Sequence, residues 1–202
     1  MTSRTTPAES SAPARDHTLS PSPWIRRFAH RVPSGARVLD IAAGQGRHAR
    51  FFASRGARVL AVDRDATALA SLADVAGIET RVVDLETGQW PLAAETFEGV
   101  VVTNYLHRPL FPHLLSAIGD NGVLLYETFA LGNERFGHPA RPDFLLRPGE
   151  LLDLAQPHLT VIAFEQGRID EGREAVVQRI AAVGRAHEWP PQLSAGDAAA
   201  GS

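Results

Sequence analysis

Apolar residues in this chain fall in short β-branched runs separated by helical stretches, and that alternation sets the expected elements. Pro23 opens a first helix in which Trp24, Ile25 and Phe28 share one face, and Pro33-Ser34-Gly35 ends it. Arg37 to Ile41 reads as a buried strand carrying Asp40 at its end. Gly44-Gln45-Gly46 turns the chain into a helix over Arg47 to Ser54, with Ala49, Phe52 and Ala53 at helical spacing, and Gly56 stops it. Val59 to Asp63 is a second strand, Ala66 to Val75 an alanine-rich helix, and Thr80 to Asp84 a third strand. Val100 to Thr103 is a fourth, leaving through Asn104-Tyr105-Leu106, and Leu110 to Ala117 is helical. Gly122 to Glu127 is a fifth strand, and Gly149 to Leu154 a short helix. Leu159 to Phe164 and Ala175 to Ile180 form two last strands around a hairpin at Glu171-Gly172.

Strands alternating with helices imply βαβ units, hence a parallel sheet with helices on both faces. Ligands of such sheets sit at the carboxyl ends of the strands. The first three strands each end in aspartate and the fourth in Asn104, so the informative residues gather at one edge.

Composition narrows the picture without redirecting it. With 202 residues, 44% hydrophobic and 21% charged, the chain suits one globular domain. A net charge of -3 gives no general attraction to nucleic acid or an anionic membrane. The absence of cysteine excludes disulfides, thiolate nucleophiles and cysteine-bound zinc. Residues 1–20, rich in Ser, Thr, Ala and Pro, lack the apolar block of a secretory signal, and Glu9 and Asp16 argue against a transit peptide. They are expected to be a disordered tail, as are residues 190–202, leaving 21–189 as the domain. A cytoplasmic location follows by default.

The turn Asp40-Ile41-Ala42-Ala43-Gly44-Gln45-Gly46 brings backbone close to a ligand and aims a helix amino terminus at the same cleft. Gly44 to Ala49 also satisfies the dinucleotide pattern G-x-G-x-x-A, and Asp63 follows at about the ~20-residue spacing of an NAD ribose acid. Two features weigh against NAD. The Asp40 carboxylate would repel a pyrophosphate, whereas it would favour the ammonium of a methionine moiety, and too few residues follow the fifth strand to build a substrate domain. Asp63 has lone pairs for both ribose hydroxyls. Asp84 can accept from an adenine amine while the Leu85 N–H donates to the ring. An aspartate at a strand exit equally caps the next helix; three in succession beside a glycine turn favour a ligand.

Val38 to Ala49 (VLDIAAGQGRHA), Val59 to Asp63 (VLAVD) and Val83-Asp84-Leu85 resemble motifs I, II and III of class I S-adenosylmethionine-dependent methyltransferases. The nearest likeness is to small bacterial members grouped loosely with tellurite-resistance methyltransferases, and it covers about Trp24 to Gly184. The resemblance implies a Rossmann-like, doubly wound, seven-stranded sheet in a three-layer αβα arrangement, mostly parallel with an antiparallel last strand. It implies S-adenosylmethionine as cofactor and S-adenosylhomocysteine as product. Asp40, Ala42 and Gly44 then lie along the methionine moiety with Gly46 in the turn, Asp63 at the ribose, Asp84 and Leu85 at the adenine, and Asn104 near the methyl group, with Arg64 also among the cofactor-binding residues. Ala42-Ala43 departs from the Cys or Gly that members often carry there.

Methyl transfer from an activated sulfonium needs alignment and exclusion of water more than a base. Asn104, Tyr105 and His107 are the residues beside the reacting centre; His107 is the base candidate, against its reading as a surface or packing histidine. The (Asp/Asn)-Pro-Pro-(Tyr/Phe) signature of DNA-amino methyltransferases is absent, and with the charge this points to a small-molecule acceptor rather than nucleic acid. A monomer or homodimer is expected. The stretch from Glu127 to Glu150 is too long for a plain connection and reads as a lid, with Phe136 and Phe144 to bury. Arg135 and Arg141 either bind an anionic acceptor or pair with Glu134 and Asp143. Trp24 covers the cleft or packs under its helix. No histidine spacing fits a metal site.

Overall fold

The structure is a computed structural model describing residues 20–88, 90–93, 95–188, 190–191 and 193. The tails expected at 1–20 and 190–202 lie outside these residues, apart from Ser20, Pro190, Pro191 and Leu193. In chain order the elements are α1 (Pro23–Phe28), β1 (Arg37–Ile41), α2 (Arg47–Ser54), β2 (Arg58–Asp63), α3 (Ala66–Ala70), β3 (Ile78–Val82), β4 (Phe97–Thr103), α4 (Phe111–Ala117), β5 (Ile118–Phe129), α5 (Glu150–Ala155), β6 (Thr160–Asp170) and β7 (Glu174–Val183). The seven strands form one sheet in the order β3-β2-β1-β4-β5-β7-β6. Neighbours from β3 through β5 are parallel, and β7 is antiparallel to both β5 and β6. The expected αβα sandwich with one antiparallel strand is what the chain builds.

Two apolar layers hold it. One face packs Trp24, Ile25 and Phe28 of α1, Ala49 and Phe52 of α2 and Leu69 of α3 against the sheet. The other packs Leu110, Leu114, Leu151 and Ala155. Central strands are buried on both faces, which is why β1, β2 and β4 read as near-continuous apolar runs. Trp24 belongs to this packing: it is 2% exposed and its indole N–H donates to the Ile180 carbonyl at 3.2 Å, so it packs under α1 and does not cover the cleft.

Several boundaries differ from the sequence pattern. The third strand lies two residues earlier than expected, because β2 ends at Asp63, opposite Val82, and offers no further partner. Asp84 therefore stands beyond the strand rather than at its end. The alanine-rich helix closes at Ala70; Leu72, Ala73 and Val75 continue in tight turns, each N–H reaching back only three residues. β5 extends in both directions, across the polar Gly119-Asp120-Asn121 and on to Phe129, since pairing with β4 and β7 is a backbone property. β4 likewise begins earlier, at Phe97, and the hairpin strands run on to Asp170 and Glu174 around the expected turn.

Candidate functional site

The strand order reverses between β1 and β4, and the segments leaving those strands diverge there. The turn after β1 needs left-handed backbone at Ala42 (φ 53°), Gly44 (φ 54°) and Gly46 (φ 73°). A Cβ at Gly46 would stand 2.4 Å from Leu72 Cδ1, so glycine is required there by packing. A Cβ at Gly44 would meet nothing within 4 Å, so this glycine leaves open space above the turn.

Asp63 ties β2 to that turn. Its Oδ2 accepts from Gly44 N–H at 2.8 Å and its Oδ1 from Asp65 N–H at 2.9 Å. The cap of α3 is Asp65, whose Oδ1 accepts from Thr67 and Ala68 N–H. Asp84 holds its own loop through Glu86 N–H at 2.9 Å. Each carboxylate thus has a structural job and unused lone pairs. Asp40 is different. It is 1% exposed, accepts from the Ala49 N–H at the start of α2, and leaves Oδ2 without a partner. Burial pushes its pKa up to about 7, against the pull of Ala49 N–H and Arg47. A cation beside Oδ2 would restore the ionised form.

A cavity of about 370 Å³ opens at this edge. Its apolar wall is Val83, Leu85, Tyr105 and Leu106; its polar groups are Asp63, Arg64, Asp84, Glu86, Asn104 and Thr128. Ala42 forms part of its floor, and Phe129, Pro139 and Phe144 close it from the lid side. Burial and the nearby Glu86 and Asp84 charges drive the Tyr105 pKa upward, so its hydroxyl stays protonated and bonds Glu86. Asn104 adopts φ 55° and donates its N–H to the Glu127 carbonyl at 2.9 Å, holding the exit of β4 against β5.

Of the residues named from sequence, Ala42, Asp63, Arg64, Asp84, Leu85, Asn104, Tyr105 and Phe144 come together around this cavity. Asp40, Gly44 and Gly46 support the turn behind it. His107 is not among the lining residues. Arg135 and Phe136 line a separate cavity beside Phe129. Arg141 pairs with Asp143 at 3.1 Å and lies over Phe144. Sequence reasoning missed Glu86, Thr128, Phe129 and Pro139; the last three lie where the pattern gave only a strand end and an irregular lid.

The lid is ordered by side chains rather than by regular elements. Asn133, buried, donates to the Pro139 carbonyl at 3.0 Å and accepts from Val176 N–H at 3.1 Å. Arg108 donates to the carbonyls of Asp143 and Leu145 while pairing with the buried Glu150 at 2.6 Å. Burial alone would raise the Glu150 pKa, but Arg108 and the Arg147 N–H bring it down to about 2. A second support is His48, 2% exposed. Its Nε2 accepts from Ser22 N–H, leaving the Nδ1 proton to face Thr103 Oγ1 at 3.2 Å, and burial lowers its pKa to about 3. This neutral histidine pins α1 to the end of β4. Among the described residues no helix is long and apolar enough to cross a membrane.

Residues 38–120 match a family described as methyltransferase domain. That span runs from β1 into β5, takes in the turn and both cavity aspartates, and ends before the lid. In structure the chain is similar to TehB from Haemophilus influenzae, with TM-score 0.62 and 18% identity over 75% of this chain and 58% of that one. It thus spans less than two thirds of that protein. It is similar to a TehB-like SAM-dependent methyltransferase from Corynebacterium glutamicum, with TM-score 0.59 and 20% identity over 79% and 86%. A SAM-dependent methyltransferase from Methanosarcina mazei gives TM-score 0.63 and 14% identity over 82% and 98%. At such identities the likeness is one of fold. Among curated proteins none matches the chain.

Proposed function

We propose that the chain is a class I S-adenosylmethionine-dependent methyltransferase that methylates a small molecule at the carboxyl-edge cavity and releases S-adenosylhomocysteine; the matched methyltransferase domain and the shared fold support this reading. The observation that carries this is the convergence of Asp63 and Asp84 on one cavity beside a turn whose Gly44 leaves open space. The donor set suits a zwitterionic nucleoside: Asp63 and Arg64 at the ribose, Asp84 and Leu85 N–H at the adenine, and Val83 and Leu106 against the ring. Ala42 and Gly44 border the methionine chain, and the unpartnered Asp40 Oδ2 suits its ammonium, directly or through water. An anionic pyrophosphate would gain nothing from that buried acid.

The bound cofactor supplies a methyl group already activated by positive sulfur. What remains for the protein is to hold donor and acceptor in line and exclude water. Asn104, fixed by Glu127, positions the reacting end, while Phe129, Pro139 and Phe144 cover it. Residues 21–189 form the catalytic domain, acting in the cytoplasm as a monomer or homodimer.

Thermal unfolding with S-adenosylhomocysteine and, separately, with NAD tests the assignment. A ligand of the folded state at 100 times its Kd stabilises by about 2.7 kcal/mol. S-adenosylhomocysteine is expected to raise the midpoint and NAD to leave it unchanged; the reverse pattern would make the chain a dinucleotide enzyme.

A further inference from the structure

Past Phe129 lies a second cavity, of about 470 Å³, that the proposed cofactor site does not use. Phe129 lines both cavities, so they are neighbours across one ring. The second is bounded by Arg135 and Phe136 of the lid and by Arg173 and Glu174 at the hairpin turn.

Its charges do not balance locally. Glu174 is paired with Arg168, which also lies over the Phe136 ring at 5.1 Å. The nearby Glu171 is held by Arg179 at 2.6 and 3.0 Å, and Glu134 accepts from the Gly132 N–H. The carboxylates around the cavity are therefore committed. Among the described residues neither Arg135 nor Arg173 forms an ion pair. Arg173 instead stacks on Phe129, its guanidinium 4.9 Å from the ring centre, which fixes it at the boundary between the cavities. Asn133, bonded to Val176 and Pro139, fixes the turn that carries Arg135. Two guanidinium groups thus line one space whose own acid, Glu174, is taken up by Arg168, an arrangement suited to a bidentate oxyanion.

We propose that this second cavity anchors the methyl acceptor by a terminal oxyanion, a carboxylate or a phosphate, held between Arg135 and Arg173. The acceptor is then a small organic anion whose nucleophilic end passes Phe129 toward the cofactor cavity. This rests on the methyltransferase reading above. Anchoring by charge at a distance from the reacting atom sets which molecules are aligned, so both arginines determine specificity without touching the methyl group.

Isothermal titration of the full chain, saturated with S-adenosylhomocysteine, tests this with three monosubstituted benzenes: benzoate, phenyl phosphate and uncharged benzamide. At least one anion is expected to bind and benzamide not to. The Arg135→Gln/Arg173→Gln double variant should weaken anion binding at least tenfold and leave S-adenosylhomocysteine affinity within twofold of wild type. Both side chains are exposed, and an unchanged thermal midpoint reports intact folding. Preference between the two anions identifies the oxyanion. Equal binding of benzamide, no binding of either anion, or undiminished binding in the double variant would overturn the anchor while leaving the cofactor site intact. Failure of wild type to bind S-adenosylhomocysteine would instead overturn the methyltransferase reading.

Discussion

Replacing Asp63 by alanine tests the site most directly, because its carboxylate is asked to do two things at once. Within the protein it accepts from Gly44 and Asp65 N–H at 2.8 and 2.9 Å. Hydrogen bonds to a charged group contribute about 1.5–3 kcal/mol each. Asp63 is partly exposed, so solvent substitutes for part of that, and a stability loss of about 1–3 kcal/mol is expected. Toward the ligand, each oxygen has a lone pair left for one ribose hydroxyl. Losing both bonds should cost about 2–4 kcal/mol of affinity, roughly 30- to 1,000-fold in Kd. Calorimetric titration with S-adenosylhomocysteine, well below the variant's unfolding midpoint, reads the second effect free of the first. Asp65→Ala is the control: it removes the α3 cap, costs about 1 kcal/mol of stability, does not itself line the cavity, and keeps the backbone N–H that donates to Asp63. If Asp63→Ala stays folded and binds within threefold of wild type, Asp63 does not hold the ribose and the site must be redrawn.

The two glycines of the turn should separate folding from binding. Gly46→Ala meets Leu72 inside the core at left-handed φ and is expected to lower stability by about 2–4 kcal/mol in a denaturant titration; Gly44→Ala, with open space around its Cβ, should cost only about 1 kcal/mol of stability but weaken S-adenosylhomocysteine binding by tenfold or more. Glu150 makes an acid-sensitive clamp. Its folded pKa of about 2 lies below the ordinary glutamate value of 4.5, so its stabilisation is complete above pH 4.5 and is lost as pH falls toward 2. The shift corresponds to on the order of 3 kcal/mol at most, and Glu150→Gln should flatten the unfolding midpoint against pH across that window.

The cofactor half of the molecule was legible because its determinants are local. The turn from Asp40 to Gly46 is announced by its own glycines, even though Asp63 and Leu72 brace it, and the range of α2 follows from its own residues, with Gly56 just past its end as expected. Where legibility failed, a partner distant in sequence decided the outcome. β3 stops at Val82 because β2 has run out, which leaves Asp84 in a loop. His107, next to the exit of β4 in sequence, still falls outside the cavity, since the chain turns at Arg108 to make its pairing with Glu150.

The lid shows the same rule at its strongest. Its long-range restraints are Arg108 reaching carbonyls 35 and 37 residues away and Asn133 reaching Val176 across 43. No periodicity encodes such bonds, so Glu127 to Glu150 could be recognised as a long irregular segment but not folded by inspection. Arg173 is more hidden still: it lies on a hairpin turn and reaches Phe129 only because β7 returns antiparallel beside β5. The matched domain, residues 38–120, ends before all of these groups. On the proposed reading, cofactor recognition lies in strand ends within that matched span. On the same reading, acceptor recognition depends on how the later segments fold back over them, and substitutions at Arg135 and Arg173 are expected to change acceptor binding without disturbing the cofactor edge.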